Sequence, residues 1–171
     1  MAVYAVRQSK FNTGDTAAVF GCGPIGLLII DALRASGATE IYAVEVSPER
    51  QEIAKKLGAI IVDPAKVNSV EFIKERTNGG VNVSYEVTGV PAVLQQSLEA
   101  AEKDGELMVV SIWETEASIQ PNEVVIQERT IKGVIAYRDV FPKTLELMKQ
   151  GYFSKDLLVT KRIKLEDIVN E

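Results

Sequence analysis

The sequence contains no histidine and a single cysteine, Cys22. Zinc sites are built from cysteine, histidine and carboxylate ligands, so no catalytic or structural site of the usual composition can be assembled here. Without histidine there is no Ser-His pair for nucleophilic catalysis. A Tyr-x-x-x-Lys pair is missing as well, because Tyr152 and Lys155 stand only three apart. One thiol forms no internal disulfide, which points to a reducing, cytoplasmic setting. No apolar run reaches the length of a membrane span, and no signal peptide is evident. No basic run stands out, and the net charge of −5 argues against a nucleic-acid partner. What remains is 171 residues, 46% of them hydrophobic, enough for one domain with a full core.

Against these absences stands Gly21-Cys22-Gly23-Pro24-Ile25-Gly26. It closes the apolar run Thr16-Ala17-Ala18-Val19-Phe20 and opens Leu27-Leu28-Ile29-Ile30-Asp31-Ala32-Leu33. That order reads as strand, glycine turn and helix start. Gly21 suits the tight turn, Gly23 a close approach of backbone to a pyrophosphate, and Gly26 close packing of helix on strand. Free amides at the helix start then face the phosphates, aided by the helix dipole. A GxGxxG alone is a weak signal. Here a second strand, Glu40 to Val44, ends at Glu45, near the spacing of a ribose-binding acid. The pair of features points to a dinucleotide as the ligand.

Strand and helix patterns alternate along the chain, which implies a parallel sheet covered on both faces. Ser47-Pro48-Glu49 reads as N-cap, first-turn proline and first-turn acid of a helix ended by Gly58. Further strands are expected at Ala59 to Val62, Val81 to Val87, Glu106 to Val110 and Thr130 to Ile135. Helices are expected over Ser69 to Arg76, Pro91 to Glu102, Asn122 to Gln127 and Phe141 to Gln150. Lys103-Asp104-Gly105 reads as a turn, and Trp113 to Pro121 as a loop. Six strands in this sequence give a doubly wound α/β fold, three layers in αβα order, with strand order 3-2-1-4-5-6.

Several stretches together resemble the zinc-dependent medium-chain alcohol dehydrogenases, the sorbitol and 2,3-butanediol branch above all. They are Val19 to Leu27, Ala43 to Arg50 and Ala54 to Ala59, joined by Tyr85-Glu86-Val87-Thr88-Gly89, Ile131 to Ala136 and Leu158 to Leu165. Family members are about twice this length, and a second lobe holds their zinc ligands. The resemblance therefore implies an excised NAD-binding domain, with Met1 an added start residue and Ala2 to Arg7 the helix that enters it. Zinc and the small alcohol or polyol substrate would belong to the absent lobe, and no catalytic or metal residue would lie in this chain. The resemblance assigns Gly21, Gly23, Pro24, Ile25 and Gly26 to the pyrophosphate turn. It assigns Glu45, Val46 and Arg50 to the adenosine side, and Val87 and Thr88 to the nicotinamide-side ribose. Val110, Ser111 and Ile112, with Val134, Ile135 and Ala136, would approach the nicotinamide carboxamide. Many relatives have Asp where this chain has Glu45, and glycine where it has Ser111. The resemblance also implies a homo-oligomer formed through the sixth-strand edge.

Other side chains carry plainer readings. The Cys22 thiol is a small packing group. Glu86 ends an apolar strand and caps Gly89 or neighbouring amides. Trp113 suits the substrate side of the cleft or a surface contact equally. Lys161 to Lys164 reads as a solvated strand edge. Two rival functions fit the same sheet. One is a free-standing NAD-binding redox sensor. The other is an S-adenosylmethionine-dependent methyltransferase, which usually carries an acid just before its glycine turn, where this chain has Val19 and Phe20.

Overall fold

A computed structural model describes residues 1–168. A short helix α1 (Ala2–Gln8) precedes six strands: β1 (Thr16–Phe20), β2 (Glu40–Val44), β3 (Ile60–Val62), β4 (Val81–Glu86), β5 (Ala101–Val109) and β6 (Thr130–Gly133). Between them run α2 (Pro24–Ala35), α3 (Pro48–Lys56), α4 (Ser69–Arg76), α5 (Pro91–Ala100) and α6 (Pro121–Val125), and after them α7 (Phe141–Lys149) and α8 (Lys155–Leu158). The sheet is parallel throughout, in the order β3-β2-β1-β4-β5-β6. This is the doubly wound arrangement the alternation implies.

Strand alternation builds the two faces. Ala17 and Val19 of β1 join Ile41 and Ala43 of β2, and Val83 and Tyr85 of β4, in a core with α1, α2 and Leu57. Ala18 and Phe20, with Tyr42 and Val44, face Ile73 of α4 and Ala100 of α5 on the other side. Both faces are buried, so these strands read as continuous apolar runs. α1 is tied to the sheet by polar contacts: Tyr85 Oη lies 2.9 Å from Ser9 Oγ, and Lys10 N donates to Glu106 Oε2 at 2.6 Å.

Several boundaries differ from the sequence expectation. The fifth strand begins at Ala101, before the expected turn, and the helix before it stops at Ala100. Ala101 pairs with Val81, and pairing resumes only at Glu106 with Val83. Lys103-Asp104-Gly105 is thus a bulge inside the strand, with Asp104 left-handed at φ 60°. The buried Arg129 guanidinium stabilises it from beyond the strand. It donates to the carbonyls of Glu99 at 3.3 Å, Ala101 at 2.5 Å and Glu102 at 3.2 Å, and pairs with Glu123 at 2.5 Å. Removing one member of a buried, hydrogen-bonded pair strands the other groups. Arg129→Ala is expected to lower unfolding free energy by about 3 kcal/mol, read from urea unfolding.

The third strand starts one residue late, and the fourth ends at Glu86. The sixth stops at Gly133: Val134 N still bonds Val109 O, but beyond it Ile135 is exposed and Ala136 is left-handed at φ 54°. Residues 159–164 form no strand, so the expected edge at Lys161 to Lys164 is irregular chain. No helix among the described residues is long and apolar enough to cross a membrane.

Candidate functional site

The glycine turn leaves β1 at Phe20 and enters α2 at Pro24, with Gly23 as N-cap. Gly21 has φ +93°, and a Cβ there would press on the Thr88 methyl at 2.6 Å. Gly26 lies against the turn itself. A Cβ at Gly26 would fall on the Gly21 carbonyl oxygen, and within 2.9 Å of its carbon. Gly23 is different: a Cβ there meets no protein atom within 4 Å. Helix geometry leaves the amides of Ile25 and Gly26 without partners inside α2, and Pro24 has no amide to orphan. The turn is an open cradle with its donors facing outward, the arrangement an anion uses at a helix start.

Beside the cradle lies a cavity of about 450 Å³ at the C-terminal ends of β1, β2 and β4. The chain reverses direction across the sheet between β1 and β4, the usual crevice of open α/β sheets. Gly21, Gly23, Glu45, Val46, Arg50, Val87 and Thr88 line it, so the structure brings these expected residues together. Pro64, Val90, Val93 and Gln96 line it too, and the sequence reading missed them. They come from the loop after β3 and from α5 with its N-cap, and no local motif marks such positions. A larger, shallow groove of about 590 Å³ is lined only by α7 residues, with no glycine among them.

Glu45 is buried at 5% exposure. Its Oε2 accepts from Cys22 N at 2.7 Å, and its Oε1 from Val46 N and Ser47 N, both at 2.9 Å. Arg50 Nη1 stands 3.9 Å from Oε2, on a half-exposed side chain. The carboxylate therefore joins the end of β2 to the glycine turn. A carboxylate offers about four lone-pair sites, and three are taken by amides.

Val110, Ser111 and Ile112, and Val134, Ile135 and Ala136, lie at the same sheet edge, past β5 and β6, but outside the cavity wall. Val110 is buried, with its amide on Glu86 O at 3.0 Å. Ile112 and Ile135 are exposed, at 76% and 71%. Trp113 sits away from the crevice, in a pocket with Leu94, Val109 and Ile131. It is not part of the cavity wall and stands among mostly apolar neighbours. Glu86 caps Thr88 and Gly89 amides, as its strand-end position suggests.

Cys22 is fully buried, and desolvation pushes its thiol up to about 12, reinforced by the Glu45 charge and opposed by Arg50. The thiolate is the reactive form. Iodoacetamide at pH 8 is therefore expected to label the folded chain far more slowly than the urea-unfolded chain. Equal rates by mass spectrometry would contradict the buried, neutral thiol. Among the described residues no group of three or more His, Cys, Asp or Glu side chains stands close enough to hold a metal ion.

Comparison with known proteins gives this site its relatives. The chain is 62% identical, over its whole length, to half of the (R,R)-butanediol dehydrogenase of Bacillus subtilis. It is 33% identical over 97% of its length to 48% of a sorbitol dehydrogenase from the same organism. The crystal structure of Bacillus subtilis 2R,3R-butanediol dehydrogenase superposes with a TM-score of 0.97, over 99% of this chain and 49% of that one. An alcohol dehydrogenase zinc-binding domain protein from Burkholderia ambifaria superposes at 0.91, with 33% identity, over 99% of this chain and 47% of that one. The chain spans about half the length of the curated relatives it matches. The family description "zinc-binding dehydrogenase" matches residues 24–150, from the first turn of α2 through the end of α7. With the glycine cradle, the strand order and that match in agreement, the chain belongs to the zinc-binding dehydrogenase family.

Proposed function

We propose that this chain is the NAD(H)-binding domain, residues 1–171, of a zinc-dependent secondary-alcohol or polyol dehydrogenase of the butanediol or sorbitol type. The observation that carries the reading is the open Gly23 cradle beside a 450 Å³ cavity walled by Glu45. The pyrophosphate rests on the amides of Ile25 and Gly26 at the start of α2, with Gly21 and Pro24 shaping the turn. The adenosine half lies over β2, with Val46, Arg50 and the free lone pair of Glu45 at the ribose. The carboxylate accepts a ribose hydroxyl and repels a 2′-phosphate, so NAD is preferred over NADP. The second nucleotide lies over β4 and β5, because each half of a doubly wound sheet takes one mononucleotide. Val87 and Thr88 meet its ribose, and Val110, Ser111, Ile112, Val134, Ile135 and Ala136 surround its ring.

When bound, the cofactor supplies a ring that carries hydride, and this chain's residues bind and orient it. Zinc does not fit the donor set among the described residues, so no step is assigned to a metal in this chain. The alcohol or polyol substrate is likewise left to the rest of a two-lobed protein. The buried single thiol suits a reducing, cytoplasmic setting. Exposed Val125, Ile126 and Ile131 flank and occupy the outer strand β6, and we assign a second copy of the protein to that edge. Calorimetric titration with NADH and NADPH tests the central reading. Binding of NADH with weaker binding of NADPH is expected. Binding of neither, or a preference for NADPH, would overturn it.

A further inference from the structure

We propose that the crevice continues past its adenosine end into an annex, which accepts a short, neutral, hydroxyl- or amide-bearing substituent on the base of a dinucleotide. The inference rests on the dinucleotide reading above and deepens it.

The annex is a second cavity, of about 420 Å³, lined by Pro64 to Ser69 and by Gln96. Pro64 and Gln96 line the crevice as well, so the two cavities meet at those side chains. The loop after β3 holds the shape through Asp63. The Asp63 carbonyl accepts from Lys66 N at 3.0 Å and Val67 N at 3.1 Å, and its Oδ1 from Ala65 N at 3.0 Å. Its Oδ2 pairs with Lys66 Nζ at 2.8 Å. Helix α4 then starts with Asn68 as N-cap, whose Oδ1 accepts from Val70 N at 3.1 Å and Glu71 N at 3.3 Å.

These contacts leave neutral groups for a ligand. The Lys66 charge is taken up by Asp63, and the first-turn acid Glu71 repels an anion at the helix start. Two polar side chains of the annex wall have no partner among the described residues. Ser69 is 4% exposed, and its hydroxyl makes no hydrogen bond. The amide of the half-buried Gln96 makes none either. Buried polar groups are ordinarily hydrogen-bonded, and one left unmet is destabilising. A hydroxyl or amide both donates and accepts, so it satisfies such groups without bringing a charge into the annex.

Position selects the point of attachment. Glu45, Val46 and Arg50 hold the ribose end of the crevice, and Pro64 and Gln96 stand where the annex opens, so the base lies between them. Adenine is joined to its ribose through the five-membered ring. Its exocyclic amine is on the six-membered ring, at the far side. A chain on that amine therefore runs on into the annex. A chain on C8, in the five-membered ring, turns back toward the ribose and the crevice wall.

The probes are NAD⁺ and three derivatives. One carries a hydroxyethyl group on the adenine amine, one a propyl group on the same amine, and one a hydroxyethylamino group at adenine C8. Wild type, Ser69→Ala and Gln96→Leu would be titrated with each by calorimetry. Wild type is expected to bind the amine-linked hydroxyethyl derivative within about twofold of NAD⁺ or tighter. It should prefer that derivative over the propyl one by about fivefold, and over the C8 one by roughly tenfold or more. Both variants are expected to cut the hydroxyethyl-over-propyl preference to about twofold or less. That ratio compares two chains of equal length on one variant, so changes in the shared dinucleotide contacts cancel. Ser69→Ala removes a hydroxyl with no partner, so the variant folds and the ratio is readable even where Gln96→Leu disturbs the crevice. Loss of the preference in one variant alone assigns the contact to that side chain. A preference retained in both would overturn the proposal. Wild type that binds NAD⁺ but rejects the amine-linked chains tenfold, or does not distinguish hydroxyethyl from propyl, also overturns it and leaves the dinucleotide reading standing. Wild type that binds none of the four removes both.

Discussion

Gly23→Ala is expected to weaken NADH binding by about 2 kcal/mol, roughly thirtyfold, while the melting temperature barely moves. The reason is geometric. An added Cβ at Gly23 meets no protein atom within 4 Å, but it stands in the cradle where the pyrophosphate is proposed to lie. The backbone there has φ −65° and ψ −174°, so alanine adopts it without strain. Gly26→Ala is the contrast. Its Cβ would collide with the Gly21 carbonyl, a backbone atom that cannot swing aside as a side-chain tip can. Relief requires α2 to move off β1, and overpacking of this kind costs about 2 kcal/mol, or about 4–8 °C in melting temperature. Thermal melts and NADH titrations on the two variants separate the roles. Equal destabilisation of both, with binding intact in Gly23→Ala, would reduce the motif to a structural turn.

Glu45→Ala is expected to act on both stability and binding. The substitution leaves the amides of Cys22, Val46 and Ser47 without their acceptor, at a position only 5% exposed. Each buried donor left unmet costs roughly 1–3 kcal/mol, and water entering from the cavity recovers part of that. A net loss of about 3 kcal/mol in urea unfolding is the expected result. NADH affinity falls too, because the Cys22 amide no longer pins the glycine turn to β2. Glu45→Gln distinguishes the charge from the shape. One amide oxygen keeps some of the bonds, while its NH₂ cannot accept from a backbone amide. Stability between wild type and Glu45→Ala, with the preference for NADH over NADPH narrowed, would support both roles. A Glu45→Ala chain as stable as wild type would mean that these three bonds contribute nothing net.

The bulge in β5 shows where local reading fails. Lys103-Asp104-Gly105 has turn chemistry, and Asp104 does take a left-handed conformation. Whether such a triplet ends a strand or interrupts one depends on what pairs with the residues before it. Here Val81 supplies a partner for Ala101, and Arg129, distant in sequence, supplies donors for the carbonyls. Neither partner leaves a trace in the local pattern. The cavity wall is similar: Glu45 and the glycines carry a motif, whereas Pro64 and Gln96 reach the site only because α5 and the loop after β3 converge on it.

The sequence by itself determined the doubly wound sheet, the glycine turn and the acid at the end of β2. Periodicity, helix caps and glycine spacing are local, and the crossover rule turns alternating elements into one strand order. The absence of histidine likewise determined that no His-containing zinc site or Ser-His pair lies in this chain. Only the tertiary structure decided how the two buried acids are used. Glu45 follows one apolar strand and Glu86 ends another, and the local pattern that marks each does not show which other loop it meets. Folding sets one against the Cys22 amide and the other between Thr88 and Ser111, because strand order places β2 beside β1 and β4 beside β5.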